Sequence, residues 1–202
     1  ILIRNGRAGF ILVFVVLALF LRLRLAVWVS LGVPLSFMGA LAFFPPLGIS
    51  IDVISLFAFI LVLGLLVDDA IVVGENVHRH QESHEASLPA AIAGAQEVAV
   101  PVVFGVLTTV AAFVPLILAP GTMGQIFGTI GMVVICCLVF SLVESQFVLP
   151  AHLGHMKVGA TETISSGRSQ LVRTWLRVQN FFATSLERIA NEAYRPALER
   201  AL

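Results

Sequence analysis

The chain has 202 residues, 58% of them hydrophobic and only 12% charged, with twelve basic side chains balanced by twelve acidic ones. Average soluble domains carry about a quarter charged residues, so this composition, with a mean hydropathy of +1.00, excludes a soluble globular domain as well as collagen-like, disordered and disulfide-scaffold chains. The absence of a basic block excludes nucleic acid as a partner, because phosphate neutralisation needs clustered Lys and Arg.

Uncharged runs set the architecture. Leu25 to Ile51 is 27 residues without a charge, Val53 to Val67 is 15 and Val98 to Val143 is 46, against the roughly 20 apolar residues that a membrane-spanning helix requires. The expected fold is all-α: a polytopic membrane helix bundle of five spans over residues 1–153, then a polar linker (154–170) and a cytoplasmic-side amphipathic helix (171–202). Residue 1 is Ile, and Ile1 to Arg7 lacks the layout of a signal peptide, so the chain reads as an internal piece of a longer protein.

The first span covers about 8–24 and stops at Arg22 and Arg24. The second, about 25–44, is expected to end at Pro45 and Pro46, which lack a backbone donor and disfavour helix before them. The third, about 50–77, has Ser50 or Asp52 as its N-cap. A polar loop from His78 to Ser87 follows, then spans at about 98–118 and 125–149, joined by the tight turn Ala119-Pro120-Gly121-Thr122 that makes them antiparallel neighbours. Pro101 and Pro115 are expected to kink the fourth span, and Gly124, Gly128 and Gly131 to let the fifth approach a neighbour closely. Cys136 and Cys137 are adjacent, where a bridge would be strained, and read as packing residues.

Orientation follows from Lys and Arg in the loops, which are in excess on the cytoplasmic side. Placing Arg22 and Arg24 inside puts ten of the twelve basic residues inside, Lys157 among them, and leaves Arg4 and Arg7 outside. Beyond the linker, Leu171, Trp175, Val178, Phe182, Leu186 and Ile189 recur at helical spacing beside Arg173, Arg177 and Arg188. That pattern suits a helix lying in the cytoplasmic membrane interface.

The chemistry concentrates in Gly64-Leu-Leu-Val-Asp68-Asp69-Ala-Ile-Val-Val-Gly74-Glu75-Asn76, which sets two adjacent carboxylates inside a span. Each costs about 2.5–3.5 kcal/mol at a helix centre on the insertion scale, so intramembrane acids mark ion pathways by default. Asp68 shares its helical stripe with Gly64 and Glu75, and Asp69 with Val73 and Asn76. Their ionisation is coupled, and a carboxyl that is neutral when dry and ionised beside water or a cation is what a proton relay uses. A fixed ion pair to another helix is the structural alternative. No arginine falls at a span centre and the only lysine is Lys157, so a cation for the pair has to come from elsewhere. Thr108 and Thr109 are candidate hydrogen-bond partners of the pair, although such threonines also bond their own helix. Glu144 either snorkels to the cytoplasmic edge, the reading preferred here, or is a second protonatable site. His78, His80 and His84, with His152 and His155, lack the companions of a metal site, and no cofactor is expected.

The run GLLVDDAIVVGEN, preceded by GVPLSFMGALAFF and PLGISIDVISLFAFILVLG and followed by TTVAAFVPL, resembles resistance-nodulation-division (RND) efflux permeases of the multidrug, hydrophobe/amphiphile branch. The likeness covers about Gly9 to His155. It implies that the five spans are the second to sixth helices of the first half of such a permease, that the amphipathic segment links the halves, and that Asp68 and Asp69 are proton-relay aspartates paired with a lysine of the second half. It further implies a homotrimer in the bacterial inner membrane, working with a periplasmic adaptor protein and an outer-membrane channel. Gly74 stands where Val is common, and the porter and docking domains that hold the drug pockets are not in this sequence. Scattered Met38, Met123 and Met132, without methionine pairs along the spans, favour organic substrates over heavy metals. The expected function is therefore part of a proton-antiport exporter, a secondary active transporter and not an enzyme. Two alternatives are a patched-like or sterol-sensing domain without transport, and an intramembrane aspartyl protease. The protease is disfavoured because its two aspartates face each other from separate helices, whereas these are consecutive on one.

Overall fold

The computed structural model describes residues 2–21, 23–83 and 88–155. The linker beyond His155, the amphipathic helix over 171–202, His84 and Lys157 lie outside them. Every element among the described residues is helical, as the sequence predicts: α1 (Leu2–Phe20), α2 (Leu23–Leu47), α3 (Val53–Ser83), α4 (Leu88–Ile117), α5 (Gly121–Val143), a π-helical turn (Glu144–Val148) and α6 (Leu149–Gly154). Four stretches are long and apolar enough to cross a membrane: Leu25–Leu47, Val53–Glu82, Leu88–Ile117 and Gly121–Gly154. The apolar part of α1, Arg7–Leu19, is shorter.

The helix ends differ from the sequence reading for local reasons. Pro45 and Pro46 do not stop α2, which runs through them to Leu47. What ends it is Gly48, whose φ of +67° lets its N–H donate to Pro45 O at 3.2 Å while Ile49 N–H reaches Phe44 O at 3.0 Å. This pair of bonds is a Schellman C-cap. Four residues after Gly48, Asp52 caps α3 reciprocally: Ser55 N–H donates to Asp52 Oδ1 at 2.8 Å and Asp52 N–H to Ser55 Oγ at 2.9 Å. Backbone N–H groups beside the Asp52 carboxyl hold it below the usual aspartate range.

At the other end α3 continues to Ser83 instead of yielding to a loop after Val77, and α4 begins at Leu88, ten residues before the expected span. Ala90, Ala91, Gly94 and Ala95 form a buried small-residue face on that extension, so the two helices pack beyond the apolar runs. Gly94 makes the approach possible, because a Cβ there would lie 2.7 Å from Val77 Cα and 2.9 Å from Asn76 O. In lipid, helix association rests on such close packing, since the tails offer no hydrophobic drive between helices.

α3 packs on α2, α4 and α5, and α1 packs on α2. The apolar interior falls into two clusters. One joins α1, the first half of α2, Val67 to Val77 of α3, the start of α4 and α6. The other joins Ala40 and Phe44 of α2, Ala58 to Leu66 of α3, Val106 and the middle of α5. Gly131 of α5 sits against Phe113 O and Ile117 of α4 and serves the antiparallel α4–α5 contact, whereas a Cβ on Gly124 would overlap Ala119 O in the turn that precedes α5. Pro101 and Pro115 both lie within the one helix α4.

The π turn was not foreseen. Leu149 N–H donates to Glu144 O, an i→i+5 bond that widens one turn. Pro150 supplies the reason: it has no N–H for Gln146 O, and its ring would press on that carbonyl in an unbroken α-helix. Widening the preceding turn relieves the conflict.

Candidate functional site

Asp68 and Asp69 sit where the two apolar clusters meet, with Leu66 in one and Val67 and Ala70 in the other. Asp68 is exposed and Asp69 half-buried. Among the described residues neither carboxylate has a hydrogen bond or ion pair. Both lie within a helix of 31 residues, about 46 Å long. Phe57, Leu61, Gly64, Asp68, Val72 and Glu75 are all exposed and recur every three or four residues, so they form one uncovered stripe along α3. Gly64 has nothing within 4 Å of the position a Cβ would take.

The same level of the bundle is polar elsewhere. Ser36, Ser141, Glu144 and Ser145 are buried there, and Ser141 Oγ lies 3.5 Å from Leu66 O, the carbonyl two residues before the pair. Thr108 and Thr109 both donate to Gly105 O, at 2.8 and 3.0 Å. Both thus bond their own helix.

Asn76 also has a task other than meeting the aspartates. Its Nδ2 donates to Gly94 O at 2.7 Å and to Glu97 Oε2 at 2.9 Å, while Arg79 donates to Asn76 Oδ1 at 2.6 Å. His80 Nε2 lies 2.7 Å from Glu97 Oε2, and Arg79 lies 3.7 Å from Glu97 Oε1. Asn76, Arg79, His80 and Glu97 thus form one charge-assisted network joining α3 to α4, two turns beyond the Asp pair. The polar composition of His78 to Ser87 predicts a solvated loop, in which Glu97 has no part. The Glu-Asn-x-x-Arg-His spacing, with Glu97 just ahead of the uncharged run, was the available signal.

Glu144 does not run out to an aqueous edge. It is 6% exposed, on the π turn, with its carboxyl against α2 at Gly32, where a Cβ would come within 2.5 Å of Cδ and both oxygens. The histidines at the end of this helix are held by carbonyls: His152 Nδ1 is 2.8 Å from Val148 O and His155 Nδ1 is 2.7 Å from Ala151 O. A carbonyl only accepts, so Nδ1 carries the proton in each. Cys137 is buried and Cys136 half-buried, both as thiols.

Comparison with known proteins fits this arrangement. The family model described as "AcrB/AcrD/AcrF family" matches residues 3–202. The chain is 34% identical over 183 residues to "Multidrug resistance protein MdtC" of Cronobacter sakazakii (strain ATCC BAA-894), covering 90% of this chain and 18% of that protein. It is 33% identical over 181 residues to the proteins of the same name from Salmonella typhi and Salmonella paratyphi B (strain ATCC BAA-1250 / SPB7), covering 89% of this chain and 18% of each. The chain therefore spans less than a fifth of the length of these relatives. With the model matched over nearly every residue and this identity over most of the chain, the chain belongs to the AcrB/AcrD/AcrF family, the resistance-nodulation-division permeases that its Asp-Asp helix resembles.

Proposed function

We propose that this chain forms part of the membrane domain of a proton-driven exporter of hydrophobic and amphiphilic compounds, with Asp68 and Asp69 as the groups that take up and release the driving protons. The observation that carries the reading is the uncovered stripe of α3: two carboxylates at the seam between two apolar clusters, on a face where Gly64 leaves room for another helix. Such a helix bearing a lysine would hold the ionised pair. Protonation would then remove the reason for the lysine to stay, and the two helices would change their relative position. The family membership and the multidrug-resistance names of the relatives support transport over enzymatic activity.

The remaining parts of the reading follow the family. They are a multi-pass location in the bacterial inner membrane, a homotrimer, a periplasmic adaptor protein and an outer-membrane channel. No cofactor takes part. The test uses the intact permease, with Asp68→Asn and Asp69→Asn made separately, scored by drug susceptibility of cells and by drug-dependent proton flux in proteoliposomes. Loss of both activities at normal membrane abundance is expected. Retained efflux in both variants overturns the relay.

A further inference from the structure

Glu144 has no part in the relay proposed for the Asp pair, yet its surroundings are constructed. The π turn carries it, Gly32 is cut back to admit its carboxyl, and beside it opens a cavity of about 200 Å3 lined by Trp28, Leu31, Pro34, Leu35, Leu149 and His152, among others. The Trp28 and His152 rings meet at 4.4 Å between centroids and wall the cavity toward the α6 end. Leu31 and Leu35 are half exposed on the outer face of α2, so the cavity has an apolar mouth on that face. Glu144 is more than nine-tenths buried, and among the described residues nothing pairs with its carboxylate.

A carboxylate in apolar walls is expensive to keep without a counter-charge, and an indole face attracts a cation. A mouth of leucines suits a ligand with an alkyl tail. We infer that this cavity is a binding site for an alkylammonium amphiphile: the cationic head enters beside Glu144 and Trp28, and the tail leaves between Leu31 and Leu35. The site is separate from Asp68 and Asp69 and does not depend on their carrying protons. Its volume of about 200 Å3 admits a trimethylammonium head.

The test measures equilibrium binding of tritiated dodecyltrimethylammonium to the intact permease in lipid nanodiscs. Wild type should show a saturable component that Glu144→Gln weakens about thirtyfold, the usual scale for losing one partner of a buried charge pair. Trp28→Phe keeps an aromatic wall and should weaken it only a few-fold, Trp28→Leu further. Tetramethylammonium should compete and dodecanol should not. Equal binding to wild type and Glu144→Gln overturns the proposal. Equal competition by dodecanol overturns it even if every variant folds poorly, because it makes the cavity a tail site without charge recognition. Absence of any saturable component overturns it too, and assigns the space beside Glu144 to a side chain from another segment.

Discussion

Asn76 reaches the carbonyl oxygen of Gly94 at 2.7 Å, and Gly94 can come that near only because it lacks a Cβ, which would lie 2.7 Å from Val77 Cα. Backbone atoms cannot swing away as a side-chain tip can. Gly94→Ala in the intact protein should therefore push α4 off α3 and destabilise by about 1–3 kcal/mol, as overpacking does. Asn76→Ala should cost about the same by stranding the buried carbonyl of Gly94. Because the two residues share one contact, the double variant should cost less than the sum. Thermal unfolding in detergent measures all three, and additive losses would mean the contact does not join the helices.

Gly64 predicts the opposite behaviour. With nothing within 4 Å of its Cβ position, Gly64→Ala should leave stability unchanged or raise it by up to about 1 kcal/mol through helix propensity. If a further helix closes on the Asp68 stripe during transport, Gly64→Phe should stop efflux while the melting temperature stays at the wild-type value. Drug susceptibility and a melting curve on one preparation separate the two effects, and normal efflux in Gly64→Phe would show that this face stays open.

The cap on α3 makes a pH prediction. The Asp52 carboxyl is held below its ordinary value by the N–H of Ser55, so its folded-state pKa is depressed. Its contribution is present above the unfolded value of about 3.9 and is lost as pH falls through the lower folded one. Asp52→Ala should lower the melting temperature at neutral pH, and the gap to wild type should close only in strong acid. Asp52→Asn, which also accepts from Ser55 N–H, should remain closer to wild type and show no such closure. A gap that persists unchanged in strong acid would mean that the carboxylate charge is irrelevant to the cap.

Gly48 is testable in the same way. At φ +67° an L-residue is strained, and Gly48→Ala should destabilise by about 1 kcal/mol. Pro46→Ala removes no donated bond and should be near neutral.

The helices and the Asp pair were legible because uncharged length and two intramembrane acids are strong one-dimensional signals. Helix ends were less so. Pro45 and Pro46 read as a stop, yet proline costs a helix mainly donors, and the stop depends on the positive φ of Gly48. The extension of α3 past Val77 was hidden because Arg79 and His80 look like loop residues until Glu97, contributed by the next helix, is placed against them. Snorkelling was a fair reading of Glu144 from depth alone. It failed because Gly32, more than a hundred residues earlier, makes a recess for the carboxyl. The threonines remained ambiguous, since Gly105 O sits one turn behind both and competes with any partner across the bundle.

The widened turn at Glu144–Val148 behaves like a one-residue insertion that the helix has absorbed without breaking. Everything after it is rotated by about 100° relative to an uninterrupted α-helix, so the azimuth at which His152 meets Trp28 is set by that single surplus residue. Pro150→Ala, which restores an N–H for Gln146 O, would let the ordinary ladder form and swing α6 by the same angle, carrying the imidazole away from the indole while leaving α5 in place. Deleting the surplus residue as well would return the registry between the two ends of the span.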